Sequence, residues 1–181
     1  MGLDTYFYRA SKQDACDHFS YSYDEVAYFR KFWGLLKRLD YSNEHCGMYI
    51  EVPRTKLVEL ATEARKTIMM VEKYLTDQGW QIKFSPLNKY SVYDLYKDIF
   101  NEDDDIEPLK NEFIWPEEVI ILENGIFTDS IADECDHICE QVYKESDYAI
   151  FTKVVILYQK LTDILNDTDF NTQVILHESD W

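Results

Sequence analysis

Residues 24–40 read DEVAYFRKFWGLLKRLD, and the conformation of this stretch sets where the rest of the chain can pack. Val26, Phe29, Trp33, Leu36 and Leu39 recur at steps of three and four, which lays them on one helical stripe. Ser22 and Glu25, three residues apart, fit a capping box. Asp24 and Glu25 fall in the first turn and Lys37 and Arg38 in the last, the distribution a helix macrodipole favours. The spacing predicts an aromatic core helix over 24–40. Gly34 inside it costs roughly 1 kcal/mol against alanine, so a close neighbour is expected there.

Working outward, residues 3–9 (LDTYFYR) alternate and are rich in aromatics, the pattern of a strand, and 10–23 read as polar loop. After a turn over 42–47, residues 48–52 (MYIEV) predict a second strand that pairs with the first. Pro53 suits the first position of a long helix ending near Gln78. Leu57, Ala61, Ala64, Ile68, Val71 and Leu75 form its seam, and Gly79 suits its left-handed stop. Residues 80–84 predict a strand ending before Pro86, and 91–100 a short helix capped by Ser91. VIIL at 119–122 predicts a buried strand, with Glu123-Asn124-Gly125 as a hairpin turn into Ile126-Phe127. Two more helices are expected. One spans 130–144, with Ile131, Cys135, Ile138 and Val142 inward; the other spans 147–165, with Phe151, Val154, Tyr158, Leu161 and Leu165 in line. The polar end of the chain is expected to be loosely ordered. The fold class is α+β: a small antiparallel sheet packed with four or five helices, in one compact domain over 1–181.

The composition is that of a folded chain, with 46% hydrophobic and 15% aromatic residues and only 5 Gly and 4 Pro to make linkers. No apolar run approaches the ~20 residues that span a bilayer, and the first residues lack a basic-then-apolar leader. Tyr6 stands where a myristoylation motif wants Ser or Thr. A cytoplasmic protein without membrane contact is expected.

The net charge of −17 is unevenly spread. Residues 1–90 carry 12 acidic and 13 basic side chains, whereas 91–181 carry 23 acidic side chains against five lysines, a net of −18 with no arginine. Such a surface repels nucleic acid and anionic membrane and attracts basic surfaces. Two groups of carboxylates are the candidate partner-binding residues. Glu102, Asp103, Asp104, Asp105 and Glu107 form a compact run; Glu117, Glu118, Glu123, Asp129, Asp133, Glu134 and Asp136 follow. Trp115 is counted with them, because Tyr90, Tyr93, Tyr96, Trp115 and Phe127 lie among these charges and aromatics beside charges make interface anchors.

Other chemistry has weaker support. Cys16 with His18, Cys46 with His45, and Cys135 and Cys139 with His137 supply thiols and imidazoles, but not at the spacing of a zinc ribbon or finger. Cys135 and Cys139 fall on an apolar seam, where unreactive cysteines live. Neither a metal nor any other cofactor is expected. No Gly-rich phosphate loop, H-E-x-x-H or nucleophile elbow occurs, so no catalytic residue is assigned. Arg30, Lys31, Lys37 and Arg38, with Arg54, Lys56, Arg65 and Lys66, could contact nucleic acid; in so acidic a molecule they read as ordinary helix charge, and no direct nucleic-acid contact is expected.

Three pieces in order carry a resemblance. Met1 to Tyr6 match M-G-L-D-x-Y, Glu25 to Lys31 match an E-V-[GA]-Y-[WF]-R-K segment, and Tyr49 to Leu60 are similar to Y-[YI]-x-V-x-R-x-x-L-x-E-L, with Pro53 before Arg54. Over the first 65 or so residues the chain resembles a group of small phage and prophage proteins; beyond Leu75 it departs from their pattern. The resemblance implies a mobile-element protein acting inside a bacterium. Small acidic phage proteins are often inhibitors of host defence, which implies an anti-CRISPR that binds a Cas9-type effector nuclease. The channels of such an effector are basic, and an acidic, phosphate-mimicking surface suits them. Two other classes stay open: a small hydrolase or nuclease acting on nucleotide or RNA, and a phage accessory protein that binds another phage component. Homodimerisation through exposed aromatics is compatible with all three.

Overall fold

The computed structural model describes residues 4–17, 23–30, 32–39, 48–84, 120–146 and 149–180. Four strands, β1 (Asp4–Ser11), β2 (Asp24–Arg30), β3 (Ile50–Glu51) and β6 (Gln173–Asp180), form one antiparallel sheet in the order β2-β1-β6-β3. β4 (Ile82–Phe84) and β5 (Ile120–Leu122) pair separately. Five helices occur among the described residues: α1 (Lys12–Asp17), α2 (Trp33–Arg38), α3 (Arg54–Asp77), α4 (Asp129–Tyr143) and α5 (Ile150–Asp167). This is the α+β arrangement of a small antiparallel sheet packed with helices.

The predicted helix over 24–40 is instead a strand followed by one and a half helical turns. Val26, Tyr28 and Phe29 are strand-forming residue types, and β2 pairs along β1 from Asp4 opposite Arg30 to Arg9 opposite Asp24. A register shift between Phe7 and Tyr8 leaves Val26 as the extra residue of a bulge. The bulge turns Val26, as well as Ala27 and Phe29, toward the main core, and so imitates a helical spacing. The helix begins only after Phe32, whose carbonyl accepts from the Leu35 and Leu36 amides at 3.1 and 3.3 Å.

The chain end is the second correction. Gln173–Asp180 is a central strand that runs beside β1 over its full length, Asp4 opposite Asp180 through Ser11 opposite Gln173. Ile175, His177 and Ser179 are buried on its helix-facing side, where Ser179 lies 3.4 Å from the Thr5 hydroxyl. Polar residue types concealed an interior position. Consequently β3 pairs with β6, not with β1, and Val52 extends that pairing by donating to Ile175 O at 2.8 Å. Residues expected as loop over 10–23 include the end of β1 and α1, which Ser11 caps by accepting from the Asp14 amide at 3.0 Å.

The long helix matches its prediction. α3 buries Leu57, Leu60, Ala61, Ala64, Ile68, Val71 and Leu75. It ends in a Schellman motif, with Gly79 at φ 85, Gly79 N–H on Thr76 O and Trp80 N–H on Leu75 O. α5 is the central helix and touches α3, α4 and β2; Phe151, Val154, Leu157, Leu161 and Ile164 fill the space between them. Asn124-Gly125 is not a hairpin turn into a further strand. The Asn124 side chain accepts from the Gln81 amide at 2.6 Å and donates to Gly79 O at 2.9 Å, clamping the end of α3. No helix among the described residues is long and apolar enough to cross a membrane.

Candidate functional site

Among the candidate partner-binding residues, the structure describes Glu123, Asp129, Asp133, Glu134 and Asp136; Glu102, Asp103, Asp104, Asp105, Glu107, Trp115, Glu117 and Glu118 lie outside the described residues. The predicted helix over 91–100 also lies outside them. Four of the five described carboxylates sit on α4. Cys135, Cys139 and Tyr143, each four residues apart, form the buried stripe of this helix, with Ile131, Ile138 and Val142 packed beside it. That stripe fixes the rotation of α4. Asp133, Glu134, His137 and Gln141 are exposed, and Asp129 is exposed in the first turn, where the macrodipole favours an acid.

Asp136 has a structural role. Its Oδ1 accepts from the Phe151 amide at 2.8 Å and so caps α5 from a neighbouring helix. Ala149, in the local cap position, is left-handed at φ 52 and provides no side-chain cap. Burial pushes the Asp136 carboxyl up to about 6, against the Phe151 hydrogen bond, with Glu140 and Asp133 adding to the rise. Glu140 accepts from the Ser146 hydroxyl at 2.8 Å. The outward-facing acids of α4 are therefore Asp129, Asp133 and Glu134, with Glu123 exposed at the turn that precedes the helix. α4 holds five carboxylates and no lysine or arginine. Its pairs Asp129/Asp133 and Asp136/Glu140 are at the four-residue spacing where like charges oppose helix formation.

The cysteine reading is refined by burial. Cys135 and Cys139 are fully buried, and burial, with Asp136 next, pushes the Cys135 thiol up to about 12 and the Cys139 thiol upward as well. Such thiols are poor nucleophiles and poor ligands at neutral pH. His137 points away from them, 2.9 Å from Gln141 Nε2. Cys16 is exposed; His18, His45 and Cys46 lie outside the described residues. Among the described residues no three His, Cys, Asp or Glu side chains come together as a metal site.

Several basic side chains of the first half are engaged in ion pairs. Arg38 donates to both Glu63 carboxylate oxygens at 2.5 and 2.7 Å, to Gly34 O at 3.0 Å and to Val142 O at 3.2 Å. Its guanidinium lies 4.1 Å over the Tyr143 ring. Lys37 pairs with Glu145, Lys56 with Glu59 and Arg65 with Glu72. Reading the sequence missed one further cluster, formed by Tyr6, Tyr8, Tyr23, Tyr28 and Tyr49 on the sheet side away from the main helices. The alternation of β1 was its signal, since Tyr6 and Tyr8 must share a face. The third member on a strand, Tyr28, was hidden by the helical reading of 24–40. Comparison of the chain with protein-family models, curated proteins and solved structures gives no match.

Proposed function

We propose that this protein acts by stoichiometric binding, laying an acidic surface into a basic groove that otherwise holds nucleic acid, with a Cas9-type nuclease as the target. The observation that carries this reading is the outer side of α4. Asp129, Asp133 and Glu134 are exposed on a helix without a cation, although the like-charge spacing costs helix stability. The core does not require these acids, since Cys135, Cys139 and Tyr143 alone face inward as fully buried residues. A surface that opposes its own helix is reasonable when a cationic partner neutralises it. The net −18 of residues 91–181 extends the same field and steers association with a basic partner at a distance. In sequence, residues 101–107 carry five further carboxylates of this acidic half.

The test is a titration of guide-loaded nuclease, read by DNA gel shift and by cleavage at low and moderate salt. Inhibition should saturate near one equivalent and weaken as salt rises. It should weaken again in a variant carrying Asp129→Asn, Asp133→Asn and Glu134→Gln, and in one carrying Asp103→Asn, Asp104→Asn and Asp105→Asn. Salt-independent binding, or none across several orthologous nucleases, would remove the reading. Loss of substrate with far less than one equivalent would place the protein among enzymes instead.

A further inference from the structure

The side of the four-stranded sheet opposite α3 and α5 carries five tyrosines in ring contact. Tyr28 lies 4.9 Å from Tyr6, Tyr6 lies 6.1 Å from Tyr8, and Tyr8 lies 6.5 and 5.5 Å from Tyr23 and Tyr49. Tyr23 and Tyr49 close the group edge-on at 5.1 Å. Ala10, Val174 and Leu176 form a small buried floor under Tyr8 and Tyr23, with Ala15 of α1 packed against it. None of the five tyrosines is buried, and Tyr49 is 39% exposed with Met48 beside it at 54%.

Among the described strand residues on this side, acids outnumber cations. The register places Glu25 opposite Tyr8, Glu51 opposite Leu176 and Glu178 opposite Tyr6, all on the tyrosine side. Tyr8 donates to Glu178 at 3.3 Å, and Tyr28 donates to Asp4 at 3.0 Å. Against Asp4, Glu25, Glu51 and Glu178 stands a single cationic register position in these strands on this side, Arg30 opposite Asp4. The phenol of Tyr8 is pushed upward first by burial and then by Glu178, Tyr49 and Glu25.

We infer that this tyrosine-lined side of the sheet binds an arginine-rich segment of a partner protein. Ring faces attract cations, and a planar guanidinium stacks on tyrosine while its edge donates to a neighbouring carboxylate. The other occupants of an aromatic face fit poorly here. Nucleic-acid bases stack on such rings, but their phosphates would meet Asp4, Glu25, Glu51 and Glu178. A second copy would oppose the same acids to themselves. The face is separate from the outer side of α4, which packs among α3 and α5 on the other side of the sheet. The inference therefore stands independently of the nuclease reading.

Fluorescence polarisation with a labelled peptide of alternating arginine and glycine tests it, with the lysine analogue and an uncharged analogue alongside. The arginine peptide should bind, the lysine peptide more weakly and the uncharged one not at all. The double variant Tyr6→Leu and Tyr28→Leu should lose about tenfold in affinity, whereas Glu59→Gln on the outer side of α3 should change it less than twofold. Should the double variant not fold, the single Tyr49→Ala substitution and the tyrosine ring NMR shifts of the unaltered protein take its place. At saturation the ring shifts should move. Absence of binding, equal binding by the lysine peptide, or ring shifts that stay fixed at saturation would overturn the inference.

Discussion

Gly34 and Gly125 are each held by one aromatic ring. A Cβ on Gly34 would lie 3.0 Å from Tyr143 Cδ1 and 3.2 Å from Tyr143 Cβ. Tyr143 cannot retreat, because Phe32 lies 5.5 Å on one side and the Arg38 guanidinium 4.1 Å away. Gly34→Ala should therefore destabilise the protein by about 1–3 kcal/mol in urea unfolding, although helix propensity alone would make it stabilising by roughly 1 kcal/mol. A Cβ on Gly125 would fall 1.9 Å from the Trp80 ring, so Gly125→Ala must displace that ring; a shifted Trp80 emission spectrum would report it. Asp136 gives a pH test. Its native carboxyl titrates near 6 instead of 3.8, so the native state holds a proton that the unfolded chain releases between these values. The stabilisation from that proton is present below about pH 4 and is lost as pH rises to about 6. Asp136→Asn keeps an acceptor for the Phe151 amide and cannot titrate. Its melting temperature relative to the unaltered protein should rise from pH 4 to pH 7, and a constant difference would refute the assignment.

Among the elements, α2 is short but holds three helices together through one side chain. Arg38 ties it to Glu63 on α3 and to the Val142 carbonyl on α4. Arg38→Lys keeps the charge and loses the two-point carboxylate contact and the stack on Tyr143; a loss of about 1–3 kcal/mol is expected in thermal or urea unfolding. β6 is the other indispensable element. A chain shortened to residue 172 should show no dispersed amide NMR spectrum, since β1 and β3 both pair with the missing strand. The helices α3, α4 and α5 were legible because their apolar residues repeat at three and four over at least 15 positions. β2 was not, because a bulge at Val26 put residues of unequal strand parity on the core side. β6 was not legible either, since His177 and Ser179 are polar types whose burial is decided by β1 and the helices, not by their own segment. At the candidate site, the exposure of Asp129, Asp133 and Glu134 followed from the inward stripe of α4. The diversion of Asp136 to cap another helix did not, because that contact spans 15 residues of sequence.

At the scale of the whole molecule, the charge divides by position in the chain and then by side of the fold. Among the described residues of the first half, Lys37, Arg38, Lys56, Arg65 and Lys73 pair with carboxylates, and α4 presents acids with no lysine or arginine of its own. With a net charge of −17, self-repulsion opposes compaction, and added salt screens it over about 10 Å at 0.1 M. The melting temperature should therefore rise between low and moderate sodium chloride, while binding to a basic partner weakens over the same range. A melting temperature that falls would mean that ion pairs such as Arg38–Glu63 outweigh the repulsion. The pairing of Asp4 with Asp180 has a consequence for biosynthesis. β1 is made before α3, α4 and α5, yet its inner neighbour β6 is made only after α5. Until then β1 has β2 as its one strand partner among the described residues, and the sheet closes only when its last described strand pairs with its first. Such closure is slow, because its loop entropy is lost before the contacts form. Until β6 is made the nascent chain carries an open edge on β1, the interval in which a chaperone would protect it from aggregation.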